Sequence, residues 1–342
     1  MRPAAGGRTG RERLMRVKGR EAVRRVSRAA VLALGFTLGS AVLAADVDSY
    51  VRSAEKHLER KDLRAAVIEL KNALQQEPDH AAARAMLGTI YLEAGAAASA
   101  EKELARAAEL GAPREQWAVP LAEAWLATNQ SRKVLDELEP QPEDTAELRR
   151  RIRIVRAQAA MALEELDTAR AEISQAAQES PDAADVLVAR ARLAAIEGNH
   201  EEAASLVAQA LERDPDSADA HRLNARLLQT AGKHREAIAA YDRALAIEPH
   251  DIGSRTAKAA ALVGLRDLDA AEKTLGELSE QGRNTIMARY LQAAIVAHRQ
   301  QYEESQTQLR ELLRIAPDYD PAHLLIGAVS YELNQLETAE VH

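Results

Sequence analysis

The stretch "REAIAAYDRALAIEPHD" (residues 235–251) decides the fold, because the chain writes it more than once. Thirty-four residues earlier it reads "EEAASLVAQALERDPDS" (201–217), and near the start "RAAVIELKNALQQEPDH" (64–80). Each copy is an amphipathic helix closed by a proline, which cannot continue a helix. Pro181, Pro215 and Pro249 are 34 apart, and Pro317 follows Pro249 by 68; Pro78 precedes Pro215 by 137, four periods plus one residue. Alanines keep the same beat. Ala66, Ala100, Ala169, Ala203, Ala237, Ala271 and Ala339 share one slot; Ala73, Ala107, Ala176, Ala210 and Ala244 share another, seven residues on. Alanines seven apart lie on one helical face and let neighbouring helices approach closely.

Other slots explain how each copy turns. Gly95, Asn129, Gly198, Gly232 and Asn334 fall between the two helices of a unit, where a left-handed residue ends the first helix. Asp62, Asn199 and Asp267 come one residue later, placed to cap the second helix. Asp182, Asp216 and Asp318 follow the prolines and suit the start of the next helix. A 34-residue period on helical sequence predicts an all-α helix–turn–helix solenoid. The composition agrees: aromatics are 3% of the chain, and no β-branched run alternates with period two.

The pattern resembles the tetratricopeptide repeat, whose units stack into a right-handed superhelix. The best unit runs over 81–112, where Leu87, Gly88, Tyr91, Ala100 and Ala107 fall on the family's Leu, Gly, Tyr, Ala and Ala. Eight units are expected over 47–319, and a ninth begins near Asp320. Units 1–3 occupy 45–139; "LEPQPED" (138–144) marks a break whose core is 140–144; units 4–9 occupy 145–342. Arg156, Arg190 and Lys258 stand in a slot that the family fills with Leu, and snorkelling is expected there. The ninth unit stops at His342 inside its second helix. A solenoid end needs a polar cap, so the sequence reads as part of a longer protein.

The N-terminus reads as an address. Residues 1–45 carry ten Arg and Lys against Glu12 and Glu21. Arg24, Arg25 and Arg28 precede "AAVLALGFTLGSAVLAAD" (29–46), a basic, apolar, then small-residue order that fits a secretory signal peptide over 1–44, with Met15 as an alternative start. The alternative is an uncleaved membrane anchor through 29–45, which is short against the ~20 residues of a span. The chain is therefore expected to be exported.

The rest of the chain has 35 basic and 51 acidic residues, which argues against nucleic acid as a partner. With no cysteine there is no disulfide, thiol nucleophile or thiolate metal site. No phosphate loop, GxSxG or HExxH occurs, so no catalytic, cofactor or metal residue is assigned and the protein is read as a non-enzymatic scaffold.

Residues 62–116 with "SRKVLDEL" (131–138), and "IELKNALQQ" (68–76) above all, are similar to the PrsT family of the PEP-CTERM/exosortase system. That resemblance implies an exported scaffold, often a lipoprotein, in exosortase-linked protein sorting or exopolysaccharide export, located in the periplasm of a Gram-negative bacterium. The absence of cysteine departs from the lipoprotein form. The alternative is an adaptor of another envelope assembly or polysaccharide secretion machine. The tetratricopeptide resemblance further implies a concave binding face on the first helices. It would include Arg151 and Gln158 in the fourth unit, Arg192 in the fifth, Asp219, Arg222, Arg226 and Gln229 in the sixth, and Tyr290 in the eighth. Arg222, Arg226 and Gln229 lie at i, i+4 and i+7 on one helical face. Arg192 and Arg226 share a slot in adjacent units. Their forked guanidinium groups suit carboxylates, so the expected partners are cell-envelope proteins, through an acidic peptide segment, or an anionic polysaccharide. The competing reading is that these arginines pair with Glu and Asp of neighbouring helices, each pair worth little.

The alanine slots carry a direct consequence. Ala237→Leu should overpack its slot and cost about 1–3 kcal/mol, read as a lower denaturant midpoint; a surface alanine would change stability by no more than about 0.5 kcal/mol.

Overall fold

A computed structural model describes residues 47–342. The expected signal peptide, anchor and cleavage point lie outside the described residues. All described secondary structure is helical. The described residues divide into two compact units at the boundary between Arg84 and Ala85. In the first, α1 spans 47–59 and α2 Leu63–Gln76, and α3 (Ala81–Glu93) begins. Asp62 caps α2 by accepting from the Ala65 amide, and Ala66, Leu70 and Ala73 of α2 are buried.

In the second unit helices alternate as pairs. α3 is followed by α4 (Ala97–Glu109); then come α5 (Arg114–Ala127) with α6 (Ser131–Glu137), and α7 (Ala146–Ala162) with α8 (Leu166–Glu179). Next are α9 (Ala184–Ile196) with α10 (His200–Arg213), and α11 (Ala218–Thr230) with α12 (His234–Ile247). α13 (Ile252–Gly264) pairs with α14 (Leu268–Gly276), and a four-residue α15 (Glu280–Arg283) follows. α16 (Ile286–His298) with α17 (Tyr302–Ile315), and α18 (Asp320–Glu332) with α19 (Leu336–Val341), complete the series. From α4 onward each helix, α14 excepted, packs on the next in sequence. First helices also pack on first helices, α5 on α7, α7 on α9, α9 on α11 and α16 on α18. This is the helix–turn–helix solenoid that the period predicted.

The alanine slots are the contact points. Ala100, Ala169, Ala203, Ala237 and Ala271, with Ala107, Ala176, Ala210 and Ala244, have no exposed surface. Where the slot holds Ser305, its hydroxyl donates to the Ala293 carbonyl, so the extra polar atom is satisfied in the core. α19 has no buried residue, and Leu336 and Val341 are exposed.

The turn slot is stricter than its sequence. Gly95, Asn129, Gly198, Gly232 and Asn334 all take positive φ, as expected. Lys61, Glu164, Arg266 and Gln300 take it too, at φ near 60°, although nothing in their side chains favours it. The interval is 34 throughout, except for 35 between Asn129 and Glu164. The single extra residue seen in the proline spacing therefore lies across the third and fourth pairs. Capping is less uniform: Asp267 caps α14, whereas Asn199 makes no side-chain cap bond. After Pro215 it is Ser217, not Asp216, that caps the next helix.

The irregular third pair is held by polar clamps. α6 is only seven residues long. Arg156 does not snorkel; it is buried. Its Nε donates to Glu172 at 2.7 Å, and Nη1 donates to the carbonyls of Leu135 and Leu138 at 2.9 and 2.8 Å, at the end of α6. Arg153 adds a second bond to Glu172 at 3.2 Å. Glu101 of α4 gathers the Trp125 indole, Gln130 and Lys133, tying α4 to α5 and α6. Arg114 reaches Asp144 at 3.0 Å, which pins the proline segment. The other two members of the Arg156 slot behave differently: Arg190 is exposed, and Lys258 pairs with Asp242 at 2.6 Å.

Gln300→Gly should raise the denaturant midpoint, worth about 0.5–1 kcal/mol. Gly198→Ala, where a Cβ meets nothing within 4 Å, should lower it by about 1 kcal/mol on backbone grounds alone. Arg156→Met should cost about 3 kcal/mol by leaving the Leu135 and Leu138 carbonyls without their donor and Glu172 with Arg153 alone, and adding Glu172→Leu should recover only part of it in the same unfolding assay, because the carbonyls stay unpaired.

Candidate interaction face on the first helices

In the second unit the first helices present one face, and the sixth pair sits at its centre. Arg192 of α9 and Asp219, Arg222 and Arg226 of α11 line a cavity of about 330 Å³, closed by Leu223, Tyr241, Asp251, Gly253, Ser254 and Ala257. The stacking that brings Arg192 and Arg226 to one cavity is that of adjacent first helices. Tyr241, from α12, is buried to 1%. Its hydroxyl donates to Gln229 Oε1 at 3.0 Å, so Gln229 is engaged within the fold. Burial raises the Tyr241 pKa, opposed by Arg226.

The arginines divide by partner. Asp219 Oδ1 accepts from Arg192 at 3.0 Å and from Arg222 at 2.5 Å. Arg222 also bonds Glu248, at the end of α12, and lies 3.3 Å from Asp251, the cap of α13. Partial burial pulls the Arg222 pKa down, but Asp219 and Glu248 more than offset it. Enclosure likewise raises Asp219, and Arg192 and Arg222 outweigh it, leaving a net lowering. Arg192 and Arg222 are thus largely neutralised from within, the outcome of the competing sequence reading. Arg226 and Arg151 are not: both are exposed, and neither side chain makes an ion pair or hydrogen bond among the described residues.

The face also curves inward. Glu123 of α5 lies within electrostatic reach of Asp219 and Arg222 of α11, three pairs along, and of Glu248 and Arg151. Enclosure by these helices pushes the Glu123 carboxyl up to about 7; Asp219 and Glu248 add to the rise, while Arg151 and Arg222 oppose it. Water still reaches the exposed side chain, which screens the effect, so its direction is the property that counts. Gln158 is half-buried on α7. Tyr290 stands apart from the cavity, edge-on to Tyr319 with ring centres 5.7 Å apart. The sequence reading missed Glu123 and Tyr241. Tyr241 could have been found as the large residue facing the alanine slots, but nothing local marks Glu123.

Among the described residues no group of three His, Asp or Glu is placed to hold a metal, and no helix is long and apolar enough to cross a membrane. A family model described as tetratricopeptide repeat matches residues 57–119 and 228–295, and a second model of the same repeat matches 154–218 and 197–252. Together they cover more than half of the chain. No curated protein matches. Among solved structures, the chain is similar to a tetratricopeptide repeat protein from Parabacteroides merdae ATCC 43184 at 16% identity, over 83% of this chain and 99% of that one, with a TM-score of 0.43. It is also similar to MamA (41-end) from Desulfovibrio magneticus RS-1 at 17% identity, over 46% of this chain and 90% of that one, with a TM-score of 0.41.

Proposed function

The chain belongs to the tetratricopeptide-repeat family, and from that premise we propose that it is a non-enzymatic scaffold holding an acidic protein segment on the inner face of residues 85–342. The observation that carries the reading is the cavity between Arg192 and Arg226. Arg226 stands exposed at the rim with its guanidinium unpaired, next to apolar Leu223 and Ala257. A carboxylate side chain offers Arg226 two acceptors in the fork geometry it lacks. Arg151 supplies a second unpaired cation on the same series of first helices. Asp219, Glu248 and Asp251 set the register, because a ligand carboxylate is repelled from Arg222, which they surround.

The leader pattern of residues 1–44 supports a partner in the cell envelope, and the similarity of "IELKNALQQ" to the PrsT family supports a role in exosortase-linked protein sorting or exopolysaccharide export.

The test is fluorescence anisotropy with a labelled peptide of alternating Glu and Ala, its Lys counterpart, and alginate as competitor, at low and high salt. Wild type should prefer the Glu peptide, more so at low salt. Arg226→Glu with Arg151→Glu should weaken that binding by at least about tenfold, the worth of one charge-assisted contact, with helical circular dichroism unchanged. Equal binding of both peptides, or an unaffected double variant, overturns the reading. Alginate bound while the Glu peptide is not would replace it with a polysaccharide site.

A further inference from the structure

The inner face changes its chemistry between the sixth pair and the seventh. The four slots that hold Asp219, Arg222, Arg226 and Gln229 in α11 recur every 34 residues along the first helices. In α7, α9 and α11 six of these twelve positions are charged: Arg151, Asp185, Arg192, Asp219, Arg222 and Arg226. In α13, α16 and α18 none of the twelve is. The face runs on without a break. Gly253, in the first of the four slots of α13, lines the same cavity as Arg222 and Arg226. α13 packs on α16, and α16 packs on α18.

The far part of this run is apolar and open. Leu324, Ala328 and Tyr331 stand three periods after Arg222, Arg226 and Gln229, at i, i+4 and i+7 on one side of α18. All three are exposed, Leu324 at 73% and Tyr331 at 67%, whereas Ala322, Ile326 and Val329 of the same helix are buried. On α16 the same series exposes Met287 at 45%. Its Sδ accepts from the Tyr319 hydroxyl at 3.6 Å, and the Tyr319 ring stands edge-on to Tyr290. A thioether and aromatic rings adapt to varied apolar partners. Scattered single apolar residues are ordinary on a surface, but a continuous series on one face marks a contact site.

We propose that α16 and α18 form an apolar subsite of the inner face, which takes bulky apolar or aromatic side chains from the same protein segment whose acidic residues meet Arg226 and Arg151. The proposal rests on the binding reading given above. Charge selects the occupant. A segment acidic throughout would meet no cation in the inner slots of α13, α16 and α18, and would lay carboxylates against Met287, Leu324 and Tyr331. A polysaccharide charged along its length has the same mismatch. A segment apolar throughout would cover Arg226 without pairing it. A segment that changes from acidic to apolar fits both parts. First helices in contact lie about 10 Å apart, and an extended chain advances about 3.3 Å per residue. The apolar side chains should therefore stand about six to nine residues from the carboxylate on Arg226.

Fluorescence anisotropy on the full chain tests the subsite with labelled peptides. One set joins a block of alternating Glu and Ala, through about six Gly and Ser residues, to Leu-Phe-Leu, in either order. A control set has serines in place of Leu-Phe-Leu, and a last peptide carries Leu-Phe-Leu on a neutral Gly–Ser chain. One order of the joined peptide should bind at least about tenfold tighter than its serine control. Leu324→Ser with Tyr331→Ser should remove that gain and leave the serine control unchanged, with helical circular dichroism as in wild type. If the serine control binds but neither order gains from Leu-Phe-Leu, the subsite is overturned and the acidic reading stands. If the serine control fails, the neutral peptide decides. Its binding to wild type, and not to the Leu324→Ser, Tyr331→Ser variant, upholds the subsite against the acidic reading; its failure overturns the subsite as well. Dimerisation of wild type in sedimentation equilibrium that this variant abolishes would replace the segment with a second copy of the chain and overturn the proposal.

Discussion

The structure depends on helices approaching at alanine. At most positions of the two slots seven residues apart, the side chain is one methyl with no exposed surface. Larger residues would hold the helices further apart and flatten their packing angle. Burying a methyl contributes little by itself, so cohesion comes from larger residues around each slot, such as Leu104, Val207, Tyr241 and Leu309, all buried. The alanines set the geometry and their neighbours supply the energy. A repeat array of this kind distributes stability over nearest-neighbour interfaces, so a defect in one pair is repaired locally or not at all.

The third pair shows such a repair. There Val134 stands on the alanine slot, α6 is cut short, and two prolines follow. A short helix leaves carbonyls without partners. Arg156 donates to two of them, and its burial is tolerable because Glu172 takes the remaining charge. The residue that spoils the apolar slot is the one that closes the gap. Glu101 does similar work between α4, α5 and α6, with Lys133 over the Trp125 ring at 4.6 Å.

Curvature then turns a charge pattern into a site. On an extended array Glu123 would never come within reach of Asp219 or Glu248. Arg222 is consumed more locally, by three carboxylates from its own helix and the next two helix ends, while Arg226 and Arg151 stay unpaired. The same curvature brings Gly95 to Ile252 and to Gln281, whose side chain donates to the Gly95 carbonyl at 2.9 Å.

The sequence by itself determined the fold class, the pairing of helices and the alanine contacts, because these obey a local period of 34 that any unit displays. It also marked five of the nine left-handed turn residues, those written as Gly or Asn. Lys61, Glu164, Arg266 and Gln300 were not legible, since neighbouring helices force the turn whatever residue occupies it. Of the candidate face, Arg192, Arg222 and Arg226 were legible by slot. Which of them is free was not, because pairing depends on Asp219, Glu248 and Asp251, brought from three helix ends. Glu123 and the Gly95–Gln281 seam were decided by tertiary structure alone. They join residues roughly 90 to 190 apart, and a period-34 pattern holds no information about how far an array bends before distant pairs touch.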